Sequence, residues 1–400
     1  MPALRANPCA VRQSHFETLE PICPVCRGMA APAHGDHDDP SQDPSTAQDG
    51  WKLRIARVDR RDGEHIVEGI LHCSNAQCQR EYPIIDGIPL IIGPLRTFIA
   101  DNLLALLARS DLSEVTESII GDCCGVGSDF GTLRQYLGSY GWDHYGDLDT
   151  AGDSSDGDGD AFGEPENRPK PGACVRMVER GLELAGGVAA GSGPIIDLGC
   201  SAGRTSLALA QATGSLVVGV DMHLGLLRLA SRVIREGRVS YPLRRVGMVY
   251  DRREFAVDLP GRDRVEIWAC DATALPFARD TFAAAVGLNL IDSVSSPLAL
   301  LNAIADALRP GGAAILSSPY DWSPAVTSES DWVGGHSQRG DDRGSSAHIL
   351  RQVLTPGSLP GSLGNLHLEA EDDDVPWHVR MHQRSTVTYR SHLVVARKPS

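Results

Sequence analysis

Pro194-Ile195-Ile196-Asp197-Leu198-Gly199-Cys200-Ser201-Ala202-Gly203-Arg204 decides how this chain is read. An apolar run ends in a carboxylate, a glycine turn follows, and a Leu- and Ala-rich segment begins at Thr205. That is the strand, loop and helix of a nucleotide-binding βαβ unit. The next apolar strand, Leu216 to Val220, ends in Asp221, 24 residues beyond Asp197. A carboxylate about 20 residues on, at the tip of the second strand, is placed to accept ribose hydroxyls. The glycines read G-x-x-x-G rather than G-x-G-x-x-G. That spacing suits a ligand without a pyrophosphate better than a dinucleotide.

Working outward, the pattern keeps alternating. Leu224 to Glu236 reads as a helix stopped by Gly237, and Leu298 to Leu308 as another, broken by Arg309-Pro310-Gly311-Gly312. Strands are expected at Val265–Cys270, Ala283–Leu288, Ala313–Ser317 and Ser391–Ala396. Such alternation makes a parallel sheet with helices on both faces. Ligands then bind beyond the carboxyl ends of the strands, so Asn289 and Asp292 are expected to face the reaction. Tyr320, Trp322 and Trp332 lie on loops at the same edge. They suit a planar or cationic ligand, or they seal the domain edge.

Composition bounds the possibilities. The chain has 400 residues, 42% hydrophobic content and a formal net charge of -15. Two or three domains are expected. No run of 18 apolar residues and no apolar leader stand out, which implies a cytoplasmic protein with no membrane span. Acidic balance disfavours, without excluding, a nucleic-acid substrate, whose binding relies on phosphate neutralisation. Of the ten cysteines, four form two knuckles, Cys23-x2-Cys26 and Cys73-x4-Cys78, able to supply four thiolates to a tetrahedral structural zinc. Free thiols are the plainer alternative. Leu53–Val58 and His65–Leu71 read as strands joined at Asp62-Gly63, a hairpin turn. His34 and His37, in the polar insert from Ala30 to Gly50, read as solvated loop residues rather than ligands.

The connecting region is less legible. Residues 98–120 look helical, with Asp111 as a cap for a second helix. Trp142-Asp143-His144-Tyr145 reads as interdomain packing in preference to a helical lid. Asp156, Asp158 and Asp160 imitate a calcium loop, but Ala161 stands where glycine is needed, so a flexible acidic linker is expected. Arg244-Arg245 and Arg252-Arg253 are read as a solvated hairpin, with an anionic substrate group as the alternative.

The glycine loop resembles motif I of the class I S-adenosylmethionine-dependent methyltransferases. The resemblance implies a Rossmann-like seven-stranded α/β sheet. It also implies cofactor contacts from Asp197, Gly199, Cys200, Gly203, Asp221, Met222, Asp271, Ala272 and Asn289. Tyr82-Pro83-Ile84-Ile85-Asp86-Gly87-Ile88-Pro89 after the second knuckle is similar to the Trm112-like zinc-ribbon module, a small N-terminal β unit. Asn289-Leu290-Ile291-Asp292, Ser318-Pro319-Tyr320-Asp321-Trp322, Trp332-x-Gly334-Gly335 and Asp374-Val375-Pro376 sharpen the resemblance. The set looks like the C-terminal methyltransferase domain of ovothiol synthase, which methylates an imidazole nitrogen of a thiolated histidine. Carnosine N-methyltransferases have a similar Pro-x-x-Trp segment. The resemblance implies catalytic roles for Asn289, Asp292, Tyr320 and Trp322, and a small-molecule, histidine-like acceptor. A ribosomal or transfer RNA base methyltransferase and a non-catalytic zinc-ribbon adaptor are the competing readings. The expected division is a disordered N-terminus (1–20), a zinc-ribbon module (21–95), a helical connecting region (96–148), an acidic linker (149–171) and the methyltransferase domain (172–400).

Overall fold

The computed structural model describes residues 11–29, 51–108, 112–125, 127–150, 169–189, 191–340, 342–359 and 362–400. Asp111, His34, His37 and the acidic run from Asp156 to Asp160 lie outside them. The described chain begins with β1 (Val11–Arg12), α1 (Gln13–Leu19) and α2 (Pro24–Met29). Residues 11–19 are therefore built into the fold, contrary to the disordered start expected through residue 20. Phe16 and Leu19 explain why: both are buried, and their apolar area is removed from water only if the helix docks.

A small β unit follows: β2 (Leu53–Asp62), β3 (His65–Cys73), β4 (Glu81–Ile85) and β5 (Ile88–Pro89). β3 pairs antiparallel with β1, β2 and β4, and β4 with β5. The β2–β3 turn falls at Asp62-Gly63 as expected, with Gly63 at φ +59°. The connecting region is helical: α3 (Leu95–Asp101), α4 (Leu103–Leu107), α5 (Glu114–Cys124) and α6 (Asp129–Tyr145). Among the described residues α5 is capped by Ser113, whose Oγ accepts from Thr116 N at 3.2 Å.

From α7 (Ala173–Leu184) onward the alternating pattern becomes β6 (Ile195–Leu198), α8 (Arg204–Thr213), β7 (Val217–Asp221) and α9 (Leu224–Glu236). A hairpin of β8 (Arg238–Val246) and β9 (Val249–Ala256) interrupts it. Then come β10 (Val265–Ala269), β11 (Phe282–Gly287), α10 (Pro297–Ala307), β12 (Leu308–Ser318), α11 (Ser346–Val353), β13 (His367–His382) and β14 (Ser385–Arg397). Seven strands form one sheet in the order β10-β7-β6-β11-β12-β14-β13. β14 runs antiparallel to both neighbours, and the pairs from β10 to β12 are parallel. The expected α/β sheet is thus present.

The small β unit covers the exposed edge of that sheet. Ile91 N donates to Ala269 O of β10 at 3.0 Å, and Ile22 N to Pro276 O at 2.8 Å. Arg12 and His15 both reach the buried Glu266 carboxylate, at 3.1 and 2.8 Å. Phe16 lies 6.0 Å from Trp268, ring to ring, within a single apolar cluster that runs from the small unit into the sheet. Arg12 Nη1 also donates to Val265 O at 3.3 Å, so one backbone bond and these side chains screen an edge otherwise open to pairing. No helix among the described residues is long and apolar enough to cross a membrane.

Candidate active site

β6 is central, flanked by β7 and β11, so its carboxyl end lies beside theirs. This register gathers Asp197, Asp221 and Asn289 around the glycine loop. Gly199 and Gly203 sit at φ +68° and +83°. A Cβ on Gly203 would fall 2.7 Å from the Cβ of Ala230, so glycine lets α8 begin close against α9. Asp221 holds the loop from the next strand. Its Oδ2 accepts from Ser201 N at 2.9 Å and its Oδ1 from His223 N at 2.7 Å. Each oxygen keeps a lone pair for a ligand. The Ser201 hydroxyl is buried without a partner among the described residues. Both side chains line a cavity of about 330 Å³. An orphan hydroxyl beside a carboxylate fits a polyhydroxylated, amine-bearing cofactor such as S-adenosylmethionine.

Asp197 is fully enclosed. Burial pushes its pKa up to about 6, against hydrogen bonds from Ser206 and Thr205 hydroxyls at 2.6 and 2.5 Å. It anchors the first turn of α8 while reaching the cavity wall. Asn289, at φ +51°, is pinned through Oδ1 by the Ser317 and Ser391 hydroxyls at 3.0 and 2.8 Å. It too lines the cavity.

The other wall is α6: of the segment read as interdomain packing, Trp142 and Tyr145 do pack into the core, while Asp143 and His144 line the cavity. Tyr136, Tyr140, Asp143 and His144 all line the cavity. Tyr145 Oη donates to Ala202 O of the glycine loop at 2.6 Å. His144 Nδ1 accepts from Arg204 N at 3.1 Å. Burial, with the Arg204 charge, depresses the His144 pKa to about 3, so the ring is neutral and its other nitrogen carries the proton. Asp143 is raised to about 6 by burial, against hydrogen bonds from Trp377 Nε1 at 3.0 Å and Ala173 N at 3.1 Å. Asp143, His144 and Cys174 cluster closely enough to suggest a metal site. The Asp143 and His144 acceptors are already engaged with backbone and indole N–H groups, which makes the cluster a clasp from α6 to α7, α8 and β13.

The remaining sequence-derived residues are placed elsewhere. Cys200 is fully buried below the loop, and Met222 is 40% exposed outside the cavity. Asp271 Oδ1 accepts from Thr273 N and Oγ1 at 2.8 and 2.7 Å, and neither it nor Ala272 lines the cavity. Asp292 is raised by burial and accepts from Asp321 N at 2.6 Å, so it holds the loop after β12. Tyr320 Oη meets His392 Nδ1 at 2.7 Å, and His392 Nε2 meets Glu371 at 3.0 Å. Trp322 stacks on Trp332, ring centroids 6.0 Å apart, and donates to Ser346 Oγ at 3.0 Å. These aromatics seal the domain edge. The two arginine pairs of the hairpin are engaged: Arg244 with Gln135, Arg245 with Asp251, Arg252 with Glu117 and Arg253 with Asp149. Sequence reasoning passed over Tyr136, Tyr140, Ser201, His223 and Trp377 as wall residues. For Ser201 and His223 the signal available was their position just after a strand tip, whereas Tyr136, Tyr140 and Trp377 carry none within their own segments.

Cys23, Cys26, Cys73 and Cys78 converge as the two knuckles imply. Sγ–Sγ distances are 3.9 Å for Cys23–Cys78 and 3.7 Å for Cys26–Cys73. Four sulfurs each ~2.3 Å from a zinc ion stand about 3.8 Å apart at the edges of a tetrahedron. The residues therefore fit a closed four-thiolate site.

Residues 196–316 match the family described as "Methyltransferase domain". Among curated proteins, the chain is similar to ubiquinone biosynthesis O-methyltransferases. It is 25% identical over 230 residues to that of Xanthomonas euvesicatoria pv. vesicatoria (strain 85-10), covering 55% of this chain and 81% of the relative. For Xanthomonas campestris pv. campestris (strain B100) it is 25% over 226 residues, with 54% and 80% covered. Solved structures with partial likeness include Haemonchus contortus phosphoethanolamine N-methyltransferase 2 in complex with S-adenosyl-L-methionine (22% identity, TM-score 0.29, 40% of this chain and 30% of that one). Another is a Methanosarcina mazei S-adenosylmethionine-dependent methyltransferase (18%, 0.33, 52% and 92%). With the glycine loop and strand order, the domain match makes this chain an S-adenosylmethionine-dependent methyltransferase enzyme.

Proposed function

We propose that this S-adenosylmethionine-dependent methyltransferase N-methylates a small imidazole-type, histidine-derived molecule, and that Cys23, Cys26, Cys73 and Cys78 hold a structural zinc. One observation carries the size of the acceptor. A second cavity, of about 350 Å³, shares Tyr136 and Tyr140 with the one around the glycine loop. Two adjoining spaces of a few hundred Å³ suit a cofactor beside a small molecule. The choice of imidazole rests on the segments that resemble ovothiol synthase and on the chemistry available.

Methyl transfer is an in-line displacement. The acceptor nitrogen's lone pair forms the new N–C bond, the C–S bond breaks, and the sulfur keeps its electron pair. A neutral imidazole brings that lone pair at pH 7 without a base. Its remaining ring proton leaves to solvent after transfer. The protein's share is alignment, worth up to ~7–11 kcal/mol in well-oriented reactions. Asn289 orients the ring in this proposal, and Tyr136, Tyr140 and Trp377 wall it from water. Asp292, Tyr320 and Trp322 act by fixing the loop behind Asn289.

Phenol O-methylation is the second reading, favoured by the relatives at 25% identity. A phenol, with a pKa of about 10, needs a base. The carboxylates on the cavity wall, Asp143, Asp197 and Asp221, are each tied to protein donors. RNA is disfavoured by the net charge of -15 and by the engagement of the hairpin arginines. The test is a transfer assay with methyl-labelled cofactor against histidine, thiolated histidines, carnosine-like dipeptides, catechols and total RNA. Label on imidazole compounds is expected. Label only on catechols or RNA would replace this reading.

A further inference from the structure

We propose that the groove between α6 and the β8–β9 hairpin is the seat for a carboxylate carried by the methyl acceptor, with Arg134 as its receptor. The inference deepens the small-acceptor reading and rests on it. This groove is the second cavity, and Tyr136 and Tyr140 join it to the cofactor side.

Arg134 is only 4% exposed, yet none of the described residues gives its guanidinium a hydrogen bond or an ion pair, and its Nε is buried without a partner. Its carbon lies 4.2 Å from the ring centre of Tyr250 and 5.1 Å from that of Phe130. Cation–π contact steadies the charge and strips its water, but uses none of its N–H donors. A buried, always-charged group with free donors calls for an anion. Behind it lies Gly121 of α5, where any Cβ would strike the guanidinium, so the chain leaves room for this side chain at the cost of a helix glycine.

Groove composition narrows the anion. No Asp or Glu lines the groove among the described residues, although the chain as a whole is acidic. The second cation there, Arg244, is already held by Gln135 Oε1 at 3.1 Å and Gly247 O at 2.7 Å. One free guanidinium matches a monoanion, and its planar fork matches a carboxylate through two parallel bonds. A phosphate dianion would be left half compensated.

The full chain, saturated with S-adenosylhomocysteine, is titrated by calorimetry with imidazole-4-acetate, its neutral amide, phenylacetate and inorganic phosphate. The acetate should bind at least tenfold tighter than the amide. Arg134→Gln should erase that preference and leave S-adenosylhomocysteine affinity unchanged, while Arg134→Lys should restore part of it. Equal binding of acid and amide to the wild type needs no variant to fold, and it overturns the proposal. So does an absence of carboxylate binding, or tighter binding of phosphate. Arg134-dependent binding of phenylacetate without methylation of any imidazole would sink the imidazole reading and keep the seat. Methylation of histidine and histamine at equal rates, unaffected by Arg134→Gln, would do the reverse.

Discussion

His144 shows how one side chain ties stability to the site. Inside the protein its pKa falls to about 3, because burial penalises the charged ring and Arg204 adds its charge. The unfolded chain protonates near pH 6.5. A depressed histidine pKa favours the folded state above pH 6.5, and that advantage is lost as pH falls towards 3, where only the unfolded state takes up the proton. Between pH 7.5 and 5.5 this amounts to about 1.4 kcal/mol. Denaturant titrations of wild type and His144→Gln at those two pH values should show the wild type losing about that much more. Equal losses would mean that the ring is not held neutral. Asp143 and Asp197, raised to about 6, shift stability the opposite way below that pH, so the variant pair is the proper comparison.

At the level of elements, α6 is the decisive piece. It leans on β8 through glycines: a Cβ on Gly141 would come 2.5 Å from the Tyr241 ring, and one on Gly138 would run into Pro242 O. Close approach brings Tyr136, Tyr140 and His144 over the glycine loop. Overpacking at such a contact costs roughly 1–3 kcal/mol. Gly141→Val should therefore lower the melting temperature, and it should also weaken S-adenosylhomocysteine binding by about fivefold or more as α6 lifts off. Calorimetry beside a thermal melt checks both. A lower melting temperature with unchanged affinity would remove α6 from the cofactor wall.

At the level of the whole molecule, the four-cysteine cluster and the sheet are mechanically joined. Cys23 and Cys26 flank the Ile22–Pro276 and Arg27–Phe277 contacts, and Leu90–Ile91 meets the end of β10 at Ala269. Zinc binding is worth ~10–16 kcal/mol in small structural sites. Elemental analysis should find about one zinc per chain, and Cys26→Ser should lose it. Because the small unit covers the β10 edge, metal loss should also lower the melting temperature of the sheet domain by at least ~5 °C. Two separate transitions, with the sheet domain unshifted, would show that the two parts are not coupled.

The local code was strong where neighbours in sequence decide the conformation. Gly199 and Gly203 at positive φ, the carboxylates ending β6 and β7, and the strand–helix alternation from Ala173 were legible because each depends on short-range sterics and periodicity. Cysteine spacing likewise named the four sulfurs that converge. Tertiary structure alone decided which polar groups meet the cavity. Asp292, Tyr320 and Trp322 sit on the expected strand-end loops, yet each turns to a partner distant in sequence: Asp321 N, His392 and Ser346. Tyr136, His144 and Arg134 lie on a helix that Gly131, Gly138 and Gly141 make hard to read as one, and only packing against β8 and α5 makes them walls and receptor. A side chain's orientation depends on what the far parts of the chain place opposite it, and no spacing rule within one segment carries that information.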